Sequence, residues 1–352
     1  PNISCYTLHL MSNILFITTQ YRSGERIYPI IPYLSEQYNL DLLKTYHMHP
    51  TRGKWGGNND GREIFDKKYK QYFQKVFKEI NDIHFEKYNL IISDDCRLQS
   101  GMGEIYQRRK CLMIGNSHGN NRFNYPVINY QKCFDGCFVF GEKELTHQHL
   151  IPGGIPSNDE LEKYKNVEKQ HILLITNFLG NKPTYTDPWG FHFLPMDKNF
   201  FDSLRLLDLQ KKYNIPVKIK VKSREDGNHK EDVNYIKNLL PDGLDCEIVV
   251  DVEDDNLLIA QSKIVLGHPS TMMLKPLQLK IPTVMFRNYG YGDEGGCIYK
   301  NCNQLIELEY NQMIETLKSP PDLKFLEKTI LGGLGFNSID HYIHYINQII
   351  LN

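Results

Sequence analysis

Residues 267–271 read Gly-His-Pro-Ser-Thr and follow an apolar run that stops at Leu266. Hydroxyl side chains placed where a strand hands over to a helix have two uses. They cap the helix by accepting a bond from one of its open N–H groups, or they join those N–H groups and the helix dipole in cradling an anion. Ser270 and Thr271 fit either use, and Gly267 beside them would let a ligand come close to the backbone. A second such group is His118-Gly119, just past the apolar run at 111–115. Histidine titrates near working pH, so it is the commonest side chain for taking a proton from a hydroxyl. A loop histidine without a role is the plain alternative. Asp94 and Asp95 end the run at 89–93 and suit orienting that histidine, serving as base themselves, or capping the next helix.

Three further groups carry charge at strand ends. Arg22, Gly24, Glu25 and Arg26 lie in a glycine turn after the first strand, which lacks GxGxxG and so gives little support to a dinucleotide site. Lys222, Ser223 and Arg224 follow the run at 217–221, where they form either a solvated basic turn or a set of phosphate contacts. Asp293 and Glu294 sit in the glycine-rich stretch 290–297, as carboxylates for ribose or sugar hydroxyls or as a solvated loop. Trp55 and Trp189, each beside glycine, suit stacking on a sugar or base, or packing at a domain edge.

The elements that must hold these groups alternate. Short apolar runs at 13–19, 40–44, 89–93, 111–115 and 136–140 are interleaved with helical patterns at 26–37 and 64–83. The rhythm breaks at 149–160, where two prolines and two glycines predict an interdomain linker. It resumes with strands at 171–176, 217–221, 246–250, 264–266 and 283–286, and helices at 198–213, 231–240, 256–262 and 271–279. From residue 304 onward three helices without strands are expected. Alternation of this kind predicts an α/β protein of two doubly wound, Rossmann-like parallel sheets facing a cleft. The domains are expected at 1–150 on the acceptor side, with Met11 as the natural start, and at 151–320 on the nucleotide-donor side. C-terminal helices at 321–352 are expected to pack back across the cleft.

Composition bounds the function without excluding a nucleic-acid partner. A formal net charge of −1 over 352 residues gives no bulk attraction to nucleic acid or anionic membrane. The eight cysteines are scattered, and neither Cys133 with Cys137 nor Cys297 with Cys302 has zinc-site spacing, so reduced thiols and a cytoplasmic location are expected. No apolar run is long enough to span a bilayer.

The longer run from Asp251 to Phe286 resembles the nucleotide-binding half of GT-B glycosyltransferases. It is most similar to the group that holds the CDP-glycerol glycerophosphotransferases and UDP-N-acetylglucosamine 2-epimerase-like proteins. Asp254, Asp255, Asn256, Leu257 and Leu258 match that group's acidic helix, Ser270 and Thr271 its hydroxyl turn, and Lys280, Pro282 and Phe286 its last strand. The resemblance implies a GT-B fold and a donor seat at Gly267, His268, Ser270 and Thr271, with Lys222, Ser223 and Arg224 on the diphosphate and Asp293 and Glu294 on hydroxyls. It implies an acceptor or phosphate loop at Arg22, Gly24, Glu25, Arg26 and Gly119, and His118 as base. The carboxylate pair of many retaining relatives is absent, since 271–279 carries no acid. The expected function is transfer of a sugar from a nucleotide donor, UDP-linked, to an acceptor hydroxyl with inversion and without metal or other cofactor. The acceptor class stays open among glycan, lipid, protein and modified DNA base. Alternatives are a CDP-glycerol-type alditol-phosphate transferase, a non-hydrolysing epimerase and a non-catalytic nucleotide-sugar-binding module.

Overall fold

The computed structural model describes residues 11–19, 25–45, 62–95, 102–116, 133–141, 150–176, 185–186, 192–221, 229–250, 252, 254–287, 289, 299, 301–330 and 335–351. In the first domain the strands are β1 (Asn13–Thr18), β2 (Asn39–Lys44), β3 (Lys75–Phe77), β4 (Leu90–Ser93), β5 (Leu112–Asn116), β6 (Gly136–Val139) and β7 (Leu150–Pro152). They form one parallel sheet in the order β3-β2-β1-β4-β5-β6-β7. The second sheet uses β8 (His171–Ile175), β11 (Val217–Lys220), β12 (Cys246–Val249), β13 (Ser262–Gly267), β14 (Thr283–Phe286) and β15 (Leu305–Ile306), and between β8 and β11 in the chain β9 (Tyr185–Thr186) pairs antiparallel with β10 (His192–Phe193) as a separate two-stranded sheet. Its order is β12-β11-β8-β13-β14-β15, again all parallel.

Strand composition explains the double burial. Along β1, Ile14 and Phe16 join one core while Leu15 and Ile17 join the opposite one. Along β8, Ile172 and Leu174 face one layer, Leu173 and Ile175 the other. A strand apolar on both faces needs helices on both sides, which is what a parallel sheet connected through crossovers supplies.

Several elements depart from the pattern read along the chain. The helix expected at 64–83 ends at Tyr69, and Lys75–Phe77 instead adds β3 to the open edge of β2. Phe65, Tyr69 and Phe73 keep helical spacing and are buried together, so the pattern was real up to the point where a sheet edge captured the backbone. The helix expected at 198–213 breaks at Arg205, whose φ of 49° is left-handed, into Lys198–Leu204 and Leu206–Tyr213. Residue 305 begins β15, a strand inside the tail expected to be helical.

The stretch taken as a linker is structured and attached on both sides. It contains β7, so the first sheet runs past residue 150, and then the helical turns Pro156–Asp159 and Glu160–Tyr164. Ser157 N–H donates to the Arg26 carbonyl and Asp159 accepts from Ile339 N–H on the first-domain side. Asn158 donates to Gln278 and Tyr164 to Asp254 on the second-domain side.

The last helix, Ser338–Leu351, lies against the first domain. Tyr342 stacks on Phe138 with ring centroids 3.9 Å apart and donates to Asn116 Oδ1 at 2.7 Å. A Cβ on Gly153 would stand 2.4 Å from that ring, so glycine there opens the slot Tyr342 fills. The helix Leu323–Thr329 instead joins the second domain's core through Phe325 and Leu326, together with Phe140 and Ile155 from the first. One apolar cluster therefore runs across the seam.

Candidate functional site

Both sheets reverse their strand order once, the first between β1 and β4, the second between β8 and β13. At such a reversal the connections leave in opposite directions and open a crevice at the carboxyl ends, the usual ligand position in open α/β sheets. Phe140, past the end of β6, shares a cluster with Ile175, Met273 and Leu274 of the second domain, so the carboxyl edges of the two sheets approach each other.

At the first crevice Thr19 follows β1 and Asp94 and Asp95 follow β4; all three are fully buried. The Asp94 carboxylate is enclosed by donors. Oδ1 accepts from Thr19 N–H at 2.9 Å and Thr19 Oγ1–H at 2.6 Å, and Oδ2 accepts from the Tyr28 hydroxyl at 2.7 Å. Burial pushes the Asp94 pKa up to about 7; the Thr19 hydroxyl opposes this, the charge of Asp95 adds to it, and Tyr28 and the Thr19 amide oppose it. Thr19 and Tyr28 were not among the residues singled out in the sequence. The Thr-Thr pair that closes an apolar strand was their only signal.

Glu25 and Arg26 lie in the turn before the helical segment that opens at Tyr28, Glu25 exposed and Arg26 half-buried. The Arg26 guanidinium stands 5.9 Å from the Phe140 ring centroid.

At the second crevice Gly267 ends β13 and His268 follows, buried, with Nδ1–H donating to the Ile175 carbonyl at 3.3 Å. A Cβ on Gly267 would lie 2.7 Å from that same carbonyl oxygen. Glycine is required here by the neighbouring strand, a different reason from the ligand approach expected of it. Ser270 opens the turn Thr271–Met273 and the helix Leu274–Gln278. Its extended backbone is that of an N-cap, yet its side chain makes no capping bond; its carbonyl accepts from Tyr299 Oη–H at 2.7 Å and Met273 N–H at 2.9 Å. The Ser270 hydroxyl is buried with no hydrogen-bond partner.

Two lysines overlooked in the sequence bind the acidic helix that opens at Asp255. Lys220, buried at the end of β11, pairs with Asp255 at 2.9 Å. Lys275 donates to Asn256 Oδ1 at 2.7 Å; burial draws its pKa down, while Asp255, Glu25, Glu160 and Asp254 hold it up. The influence of Glu25 on Lys275 again joins the first domain's turn to the second domain's helix. Alternating patterns locate strand ends but do not say which lysine near them is buried, which is why both were missed.

Of the residues expected to form the site, Asp94, Asp95, Glu25, Arg26, Gly267, His268, Ser270 and Thr271 stand at these two carboxyl edges. His118, Gly119, Lys222, Ser223, Arg224, Asp293, Glu294, Arg22 and Gly24, with Trp55 and Trp189, lie outside the described residues. Among the described residues no group of three His, Cys, Asp or Glu side chains is placed to hold a metal ion, and no helix is long and apolar enough to cross a membrane.

No protein-family model matches the chain, and no curated protein matches it in sequence. Solved structures do. UDP-GlcNAc 2-epimerase from Methanocaldococcus jannaschii superposes with a TM-score of 0.60 at 11% identity, over 96% of this chain and 99% of that one. The Neisseria meningitidis enzyme of that name, bound to UDP-GlcNAc, gives 0.60 at 12% over 96% and 100%. MurG from Acinetobacter baumannii gives 0.51 at 9% over 96% and 99%. The chain has the GT-B fold. In GT-B terms the β1/β4 crevice belongs to the N-terminal domain and the β8/β13 crevice to the C-terminal one.

Proposed function

We propose that this GT-B chain is an enzyme that binds a nucleotide sugar in its second domain and transfers the sugar to an acceptor hydroxyl held by the first. The observation that carries the reading is the Ser270 hydroxyl, buried without a partner where the helical segment opens at the second crevice. An unsatisfied buried hydroxyl costs about 1–3 kcal/mol, and a phosphate oxygen would relieve it. Support comes from the solved structures that match nearly the whole chain, one of them holding UDP-GlcNAc and another UDP. UDP is accordingly the nucleotide proposed.

In this reading the open N–H groups at Thr271, with Lys222, Ser223 and Arg224, neutralise the departing diphosphate, which makes a metal unnecessary. Asp293 and Glu294 hold hydroxyls of the donor, while Arg22, Gly24, Glu25, Arg26 and Gly119 border the acceptor. His118 takes the acceptor proton as the new bond forms to the anomeric carbon and the bond to the β-phosphate oxygen breaks, with inversion. The free thiols of Cys111, Cys133 and Cys246 suit work in the cytoplasm.

The second reading, favoured by the epimerase likenesses, keeps the same donor seat and moves no sugar. One experiment separates them. Thermal melts with UDP, CDP and GDP identify the nucleotide, since a ligand bound only by the folded state raises the melting point. Incubation with UDP-GlcNAc followed by NMR then reads UDP and free sugar for a transferase leaking to water, or UDP-ManNAc for an epimerase. No melting shift with any of the three nucleotides removes both readings.

A further inference from the structure

Asp94 binds residues on both flanks of one segment. Thr19 lies where β1 ends, and Tyr28 lies where the next helical segment begins. Between them come Glu25 and Arg26, and Arg26 reaches the rest of the molecule at two points: its guanidinium at the Phe140 ring and its carbonyl at Ser157 N–H. Tyr28 is itself locked in place, 99% buried with its ring 4.7 Å from Phe65 in an edge-on contact.

We infer that Asp94 is a positioning residue, a staple whose two oxygens tie Thr19 to Tyr28 and thereby fix where Arg26, between them, meets Phe140 and Ser157 at the seam of the two domains. Its burial keeps it from touching a substrate, and each oxygen is already engaged. Burial and then the charge of Asp95 beside it raise its pKa, while its hydrogen bonds from Thr19 and Tyr28 lower it. This inference stands apart from the donor chemistry proposed above, and only the turnover arm of its test depends on that chemistry.

A staple and a base respond in opposite ways to an amide. Asparagine keeps the shape, accepts from Thr19 through its oxygen and donates to the Tyr28 oxygen through its nitrogen, but it takes no proton. Alanine removes the staple. The test compares Asp94→Asn, Asp94→Ala and the pair Thr19→Val with Tyr28→Phe, by amide hydrogen exchange in peptides covering 25–28 and, as a control, 171–176. Each lost bond of about 1.4 kcal/mol speeds local opening roughly tenfold. Near pH 4, where Asp94 keeps its proton and asparagine matches it, Asp94→Ala and the paired variant are expected to exchange at least about tenfold faster at 25–28 with the control unchanged, and Asp94→Asn to stay within about threefold of wild type. Where donor turnover is measurable, Asp94→Asn is expected to retain it and Asp94→Ala to lose it. Should Asp94→Ala not fold, the paired variant carries the exchange measurement. Unchanged exchange at 25–28 in the paired variant overturns the inference. So does an Asp94→Asn enzyme that is as inactive as Asp94→Ala while its exchange matches wild type, since a proton-transfer role would then be the one lost.

Discussion

At the first crevice a carboxylate is enclosed by donors on both oxygens, whereas at the second a serine hydroxyl is enclosed with none. Both stand at the carboxyl edge of a parallel sheet beside its reversal point, so topology alone does not distinguish them. The difference lies in where the compensating group comes from. Asp94 is satisfied from within the chain and organises its own domain. Ser270 is left for something outside the chain.

The largest expected effect tests the internal side of this contrast. The folded pKa of Asp94, about 7, lies above the value near 4 of an unfolded aspartate. Between those values the native state binds the extra proton, so stability falls as pH rises from about 4 to about 7 and is level above that. Asp94→Asn removes the slope and at pH 8 is expected to be the more stable by up to ~4 kcal/mol. Urea melts across pH 4–8 measure it, and parallel curves for the two proteins would show that burial of this charge costs nothing.

Next in size is the proposed base. His118→Asn is expected to leave folding and UDP binding intact and to lower turnover about a hundredfold; turnover within a few-fold of wild type moves the base elsewhere. A packing change follows. Gly267→Ala drives a Cβ to within 2.7 Å of a backbone oxygen on β8, which is expected to cost about 2 kcal/mol in denaturant melts and to weaken UDP binding with it. A variant as stable as wild type would mean that the β8/β13 crevice is softer than its geometry implies. The smallest effect is the sharpest for the comparison. Ser270→Ala removes a buried hydroxyl that bonds to nothing in the chain, so stability is expected to stay level or rise slightly, while UDP affinity falls about tenfold. Calorimetry that finds UDP affinity unchanged would erase the contrast between the two crevices.

The core of the fold was legible because its signal is local. Apolar runs at 13–19, 89–93, 171–176 and 264–266 mark strands buried on both faces, and the ends of the second and fourth place Asp94, His268 and Ser270 at the crevices. What escaped were features fixed by distant partners. β3 forms because β2 offers an open edge, and β15 because β14 does. The proline- and glycine-rich stretch after residue 149 carries every mark of a loose linker, but its bonds to Ile339, Gln278 and Asp254 come from residues more than ninety positions away or close to it. Tyr28 belongs with Asp94 only because β1 and β4 are neighbours.

The return of Ser338–Leu351 to the first sheet also sets an order of assembly. Tyr342 and Ile346 complete a core whose other members include Ile14, Leu42 and Phe138. On the ribosome the first sheet is therefore made well before the helix that completes one of its cores, and the second sheet likewise precedes Phe325 and Leu326 of its own. Until Ser338–Leu351 has been made, the slot beside Phe138 that Gly153 leaves for Tyr342 has nothing to fill it, so the last touch on the first domain's core comes after the second sheet is complete.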